Sequence, residues 1–366
     1  MRTAEFPGVD LRVGRARIGE GVRIGEGTVI VADDLVLADG AVVGPGCDLR
    51  SARLELGAGA QVGASGRWLA ADLSRLGAGS VVDAGSDVVC RELTVAQRTY
   101  LGQRLRIGAG ATMEERSVVR IGADCQIAPD VTLNCTEPVL IGDRVGISAE
   151  VAILTHGYHA GHPVRDGHGA AFAGVEVEDG VWLGFRAVVL PGVRVGEGTI
   201  VAASATVTRS LPAGVLAGGV PATVKRELRP QALDAHQRRE AVAALARAWM
   251  ERLAFKGFAV RELPGGARAG WEVAGRGDRW QVGLDAEAVE LRPSGGEEVV
   301  FGFGEPLAVT GVLDDLGHDL RDFCRRATWL FPYEGNSRGL MPERFARLLD
   351  TGAPGGAGPG HGRASR

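Results

Sequence analysis

The sequence predicts a mainly β protein: a parallel solenoid of about ten short coils, followed by a small α+β domain. Three observations point there. Val177, Leu183, Val189, Val195, Val201 and Val207 fall on an unbroken six-residue register, and four residues after each comes a second small or apolar side chain: Val181, Ala187, Val193, Thr199, Ala205 and Leu211. Glycine supplies 56 of 366 residues, well above the usual share of ~7%. Aromatic residues make up only 5%, which suits a narrow core of stacked aliphatic side chains. A period of six matches neither a helix nor a hairpin sheet. Carried over many repeats it means rungs that stack on one another. Gly180, Gly192 and Gly198 fall where the chain must turn, because glycine reaches positive φ without steric cost. Three strands and three corners make a coil of roughly 18 residues.

The same stretch carries a family resemblance. Val181-Trp182-Leu183-Gly184, Leu190-Pro191-Gly192-Val193, Val195-Gly196-Glu197-Gly198, Val207-Thr208-Arg209 and Gly218-Gly219-Val220-Pro221-Ala222 follow one another over residues 177–226. In this order they resemble the C-terminal coils of hexapeptide-repeat acyltransferases, which include galactoside, maltose and xenobiotic O-acetyltransferases. The resemblance implies a left-handed parallel β-helix; the hand does not follow from the residues themselves.

Taken in order, the repeat opens with Ile18, Ile24, Ile30, Val36 and Val42 at six-residue spacing. From Asp48 to Arg106 the joins slip, and insertions or protruding loops at the corners are the expected cause. Regular sets return at Ile107, Met113 and Val119, at Ile121, Ile127 and Leu133, and at Ile141, Ile147 and Ile153. The β-helix is expected over residues 14–226, longer than the compact sugar acetyltransferases it resembles. A segment at 154–174 interrupts it and holds His156, His159, His162 and His168. A loop thrown out of a regular scaffold is a usual place for function. Beyond Arg226 the hexads stop. Val242, Leu245, Trp249 and Leu253 share one helical face, ended by Gly257. Short strands are expected at Phe258–Leu263, Trp271–Ala274, Trp280–Leu284 and Val299–Phe303, then a helix over Leu313–Thr328. Residues 232–350 thus read as a small α+β domain of unassigned role, and 351–366 have the composition of a disordered tail.

The formal net charge of −4 gives no basic field, so a nucleic-acid partner is not expected. The opening MRTAEFPGVDLRVG lacks an apolar signal core, and no run reaches the ~18 apolar residues of a membrane span. The five cysteines (Cys47, Cys90, Cys125, Cys135, Cys324) are scattered without CxxC spacing, so a reducing cytoplasm is expected.

An alcohol is a poor nucleophile at neutral pH, and a positioned imidazole is the side chain suited to take its proton. The family's base is a histidine just past an inward aliphatic position. Ile153-Leu154-Thr155-His156 matches that pattern, which makes His156 the catalytic candidate and His159 the second choice. Closing a corner by hydrogen bonding is the plainer role for His156. Asn134, about one coil upstream, either contacts substrate or serves the turn backbone. The resemblance places coenzyme A beside the last coils, mapping its contacts onto Phe185, Ala203, Thr208, Arg209 and Arg226. Phe185 departs from the small residue common there, and Thr223 from a basic one. Lys225 and Arg226 also read simply as the solvated end of the solenoid.

The resemblance implies an acetyl-CoA-dependent O-acetyltransferase acting on a sugar or polysaccharide-precursor hydroxyl, with N-acylation of an amino sugar as a close variant. It implies a homotrimer and requires no metal. Two other classes stay open: a non-catalytic β-helix scaffold, and a zinc-dependent protein like the carbonic anhydrases of this fold.

Overall fold

The computed structural model describes residues 6–108, 114–157, 171–229, 232–264, 270–285, 287–304, 306–327, 329 and 331. They fall into two compact units that divide at residues 230–231.

The first unit is a parallel β-helix. An 11-stranded sheet runs along its third face, from Arg23–Ile24 through Trp182–Leu183 and Ile200–Val201 to Val215–Gly218. The ten strands from Arg23–Ile24 to Val215–Gly218 are parallel, so each marks one coil, and the eleventh, Thr223–Glu227, is antiparallel and closes the end. The other two faces are joined in the early coils. There one strand of nine or ten residues (Asp10–Ile18, Val29–Leu37, Asp48–Leu56, Arg67–Leu76, Asp87–Val95) bends across both faces. In Val29–Leu37 the buried positions are Ile30, Ala32, Leu35 and Leu37, and the bend falls at the outward pair Asp33–Asp34.

That bend corrects the sequence reading of the early coils. Asp10 pairs with Val29, Val29 with Asp48, Asp48 with Arg67 and Arg67 with Asp87, a pitch of 19 residues and finally 20. The extra residue at the corner ends the six-residue register after Ile30. A shift of one residue along a strand turns every side chain to the other face. Val36 and Val42 therefore point outward and are half-exposed, while Leu35, Leu37, Ala41 and Val43 are each 1% exposed. Between Asp48 and Val95 the slips are this longer pitch, with small register shifts in Arg67–Leu76, rather than protruding loops. From Arg106 onward the first two faces carry separate strands, and the hexad columns hold. All six residues of the column from Val177 to Val207 are buried, as are Val181, Ala187, Val193, Thr199, Ala205 and Leu211. Met113 lies outside the described residues.

Two kinds of glycine shape these coils. Gly180, Gly192 and Gly198 turn corners at φ 65°, 78° and 63°. Gly184 and Gly196 are needed for space: a Cβ there would sit 2.6 Å from Ala203 N and 2.4 Å from Ala213 N of the next coil.

The second unit packs helix α1 (Ala235–Phe255), a six-stranded antiparallel meander and helix α2 (Asp315–Arg326) around one core. Asp234 and Gln237 form a capping box at the start of α1, and Gly257 at φ 97° follows its end. The buried face of α1 is Val242, Leu245, Ala246, Trp249, Met250 and Leu253. Two strands were not legible in sequence, Ala288–Pro293 and Ala308–Thr310. Their few apolar residues give too short an alternation to stand out. Residues 332–366, the expected tail among them, lie outside the described residues.

Inside this core Lys256 pairs with Asp319, both almost fully buried, and Trp249 Nε1 donates to Asp319 Oδ1 at 2.9 Å. Burial lowers the Lys256 pKa and the carboxylate opposes that shift. Asp319→Ala leaves an ammonium and an indole N–H buried without their acceptor. It should cost about 3–5 kcal/mol, read as a lower denaturation midpoint in urea. An unchanged midpoint would show that water reaches and solvates the Lys256 ammonium.

Candidate active site

A short antiparallel pair leaves the β-helix at the edge between the first and second faces. After Ile153 the chain leaves the first face through Leu154 and Thr155. His156–Gly157 then pair antiparallel with Ala171–Phe172, and Val175–Val177 rejoin the second face. Residues 109–113 and 158–170 lie outside the described residues. His159, His162 and His168 are among the latter.

His156 is half-buried at the neck of its segment. Its Nδ1 lies 2.9 Å from Thr136 Oγ1, and Phe172 stacks on its ring at 5.9 Å between centroids and 27° between planes. Beneath it lies a buried polar frame. Thr155 Oγ1 is 2.8 Å from Asn134 Oδ1 and 3.1 Å from Asn134 O, and it accepts from Glu137 N at 3.1 Å. Asn134 Oδ1 also accepts from Thr155 N at 3.3 Å, and Asn134 Nδ2 donates to Gly108 O at 3.0 Å. Gly108 permits that last bond: it sits at φ 114°, and a Cβ there would lie 2.4 Å from Val89 O. Asn134 is 2% exposed and Thr155 0%. Asn134 is thus hydrogen-bonded to the corner backbone at Thr155 N and Gly108 O.

The remaining candidates divide between two edges and the closing strand of the third face. Thr208 and Arg209 are exposed on the His156 edge, just past Thr206–Val207 of the first face. Phe185 and Ala203 lie on the other side of the first face, at the corners that lead into it from the third. Ala203 is exposed, and Phe185 is 42% exposed with the Arg186 guanidinium 4.8 Å above its ring. Arg226 is exposed on the closing strand Thr223–Glu227 of the third face. One chain thus brings Asn134, Thr136 and His156 together, and sets Phe185 and Ala203 on a different edge of the prism.

Sequence reasoning missed Thr136. Its signal is the coil pitch: Thr136 stands 20 residues before His156, the same step that pairs Leu133 with Ile153. Among the described residues no three His, Cys, Asp or Glu side chains converge as a metal site. No helix among them is long and apolar enough to cross a membrane.

Fold and site together define a hexapeptide-repeat β-helix with a histidine-bearing arm on one edge. Its last coils match a family model described as bacterial transferase hexapeptide (six repeats) over residues 174–209. The chain is 30% identical over 112 residues to a galactoside O-acetyltransferase of Escherichia coli, covering 31% of this chain and 55% of the relative. It is 36% identical over 103 residues to a galactoside O-acetyltransferase of Lactococcus lactis, covering 27% and 48%. The chain thus spans about half the length of these curated relatives. A solved hexapeptide-repeat acetyltransferase of Vibrio cholerae, complexed with acetyl coenzyme A, aligns at 24% identity and a TM-score of 0.33, covering 38% of this chain and 72% of that one.

Proposed function

We propose that this protein is an acetyl-CoA-dependent O-acetyltransferase acting on a sugar or polysaccharide-precursor hydroxyl, with His156 as the general base. The observation that carries this reading is the held imidazole, hydrogen-bonded at Nδ1 by Thr136 and backed by Phe172, on an edge of coils that match transferase hexapeptide repeats. The curated relatives, named as galactoside O-acetyltransferases, support the reaction class.

In this mechanism His156 Nε2 takes the acceptor hydroxyl proton as the alkoxide oxygen attacks the thioester carbonyl. The tetrahedral oxyanion collapses, the C–S bond breaks, and the imidazolium returns its proton to the departing coenzyme A thiolate. The products are an acetyl ester and free thiol. Thr208, Arg209 and Arg226 are assigned to the donor, with the guanidiniums meeting its phosphates through charge-assisted hydrogen bonds. Phe185 and Ala203 are assigned to the pantetheine arm. Because they sit on another edge, the reading includes a homotrimer in which neighbouring chains complete each site. All five cysteines are buried and unbridged, in keeping with a cytoplasmic enzyme.

Coenzyme A release, followed by thiol titration with and without a zinc chelator, tests the proposal. Acceptor-dependent release that survives chelation supports it, and no release with any sugar panel favours a scaffold. Arg209→Ala and Arg226→Ala should each raise KM for acetyl-CoA by about tenfold, with a smaller effect on kcat. If a donor lacking the 3′-phosphate responds to Arg226→Ala as strongly as the full donor, Arg226 is not the partner of that phosphate.

A further inference from the structure

We propose that Thr136 is a positioning residue that fixes the tautomer of His156, held at its spacing by the Asn134–Thr155 frame. The idea deepens the assignment of His156 as base, but its test reads the imidazole itself. Thr136 Oγ1 lies 2.9 Å from His156 Nδ1, and a hydroxyl can either donate or accept there. If the hydroxyl donates, Nδ1 holds the lone pair and Nε2 carries the proton, so Nε2 is no base. If Nδ1–H donates, Nε2 presents its lone pair away from Thr136. Once the base has taken a proton, both ring nitrogens carry N–H groups. Only the accepting orientation of Thr136 then fits, and it serves the step before and after transfer without rotation.

Two further features hold the geometry. Thr136 and His156 leave adjacent coils just above the buried frame in which Thr155 Oγ1 meets Asn134 Oδ1 at 2.8 Å and Glu137 N at 3.1 Å. The two side chains therefore start from backbone positions tied to each other. Phe172, stacked on the ring, opposes a flip that would exchange the two nitrogens. Asn134 in this scheme acts through Thr155 and the corner rather than on the substrate.

The test uses the full chain labelled with 15N-histidine, as wild type, Thr136→Val and Thr136→Ser, with His156→Ala to assign the ring signals. Long-range 1H–15N spectra of the neutral ring should show His156 as the Nδ1–H form in wild type and Thr136→Ser. Thr136→Val, similar in shape but without the acceptor, should move it toward the Nε2–H form. The same variant should lower kcat by about tenfold, the worth of one hydrogen bond, with KM for acetyl-CoA changed less than twofold and activity restored by serine. An Nε2–H form in wild type, or a tautomer indifferent to Thr136→Val, overturns the proposal. If the tautomer shifts as expected while both Thr136→Val and His156→Ala keep full activity, the positioning role stands and the assignment of His156 as base falls.

Discussion

Replacing His156 by alanine should lower turnover by roughly 10²–10⁴-fold, the usual worth of a positioned general base, with the β-helix intact. The side chain is half-buried on an arm outside the stacked columns, whereas the residue that closes the coil beneath it is Thr155, 0% exposed. Removing the imidazole takes away the proposed proton acceptor and its contacts with Thr136 and Phe172, while the buried columns of the β-helix do not include it. Circular dichroism and the thermal midpoint should therefore match wild type, while kcat and kcat/KM fall together. Activity that survives His156→Ala and is lost in His159→Ala would move the base to His159. Loss of activity accompanied by a large drop in midpoint would instead make His156 a structural residue of the corner.

Mixing inactive subunits should restore activity from background to about a quarter of wild type, if sites form between neighbouring chains of a closed trimer. The pair to mix is His156→Ala and Ala203→Trp. Ala203 is exposed at a corner leading from the third face to the first. An indole there should block the donor channel without entering the core. His156 sits across the first face, on the other edge. In a mixed trimer some interfaces set an intact His156 edge against an intact Ala203 edge. Arg209 shares the His156 edge, so combining His156→Ala with Arg209→Ala leaves a defect on the same side of every site and should give no activity beyond that of the Arg209→Ala chains themselves. Sedimentation equilibrium should give three times the chain mass. A fully active monomer, or a mixed trimer with no recovered activity, rejects the shared site.

Much of this could be read without coordinates. The column Val177–Val207 reads as inward on spacing alone and is buried, and so are the positions four residues on, Val181 to Leu211. The α1 face was found because Val242, Leu245, Trp249 and Leu253 repeat at helical spacing, and the core covers all four. His156 was singled out through the family resemblance, and the structure sets it beside Thr136 and Phe172. The column and the helix face are local signals: a side chain's direction depends on strand or helix geometry a few residues either side.

What the sequence did not determine depends on how coils add up. Val36 and Val42 were expected to keep the hexad column, yet one extra residue at the Asp33–Asp34 corner turns them outward. Such a corner leaves no mark in a six-residue window, and its effect appears only when the next coil must stack in register. Thr136 has no motif of its own, and it becomes the partner of His156 because a 20-residue pitch sets it beneath the histidine. The same stacking decided that Asn134 is buried in the frame, and that Phe185 and Ala203 face a different edge from His156. Six-residue periodicity alone determined that this chain is a β-helix and which C-terminal residues fill it. Only the tertiary structure decided which corners align, because alignment is the sum of every coil's length and no single repeat contains it.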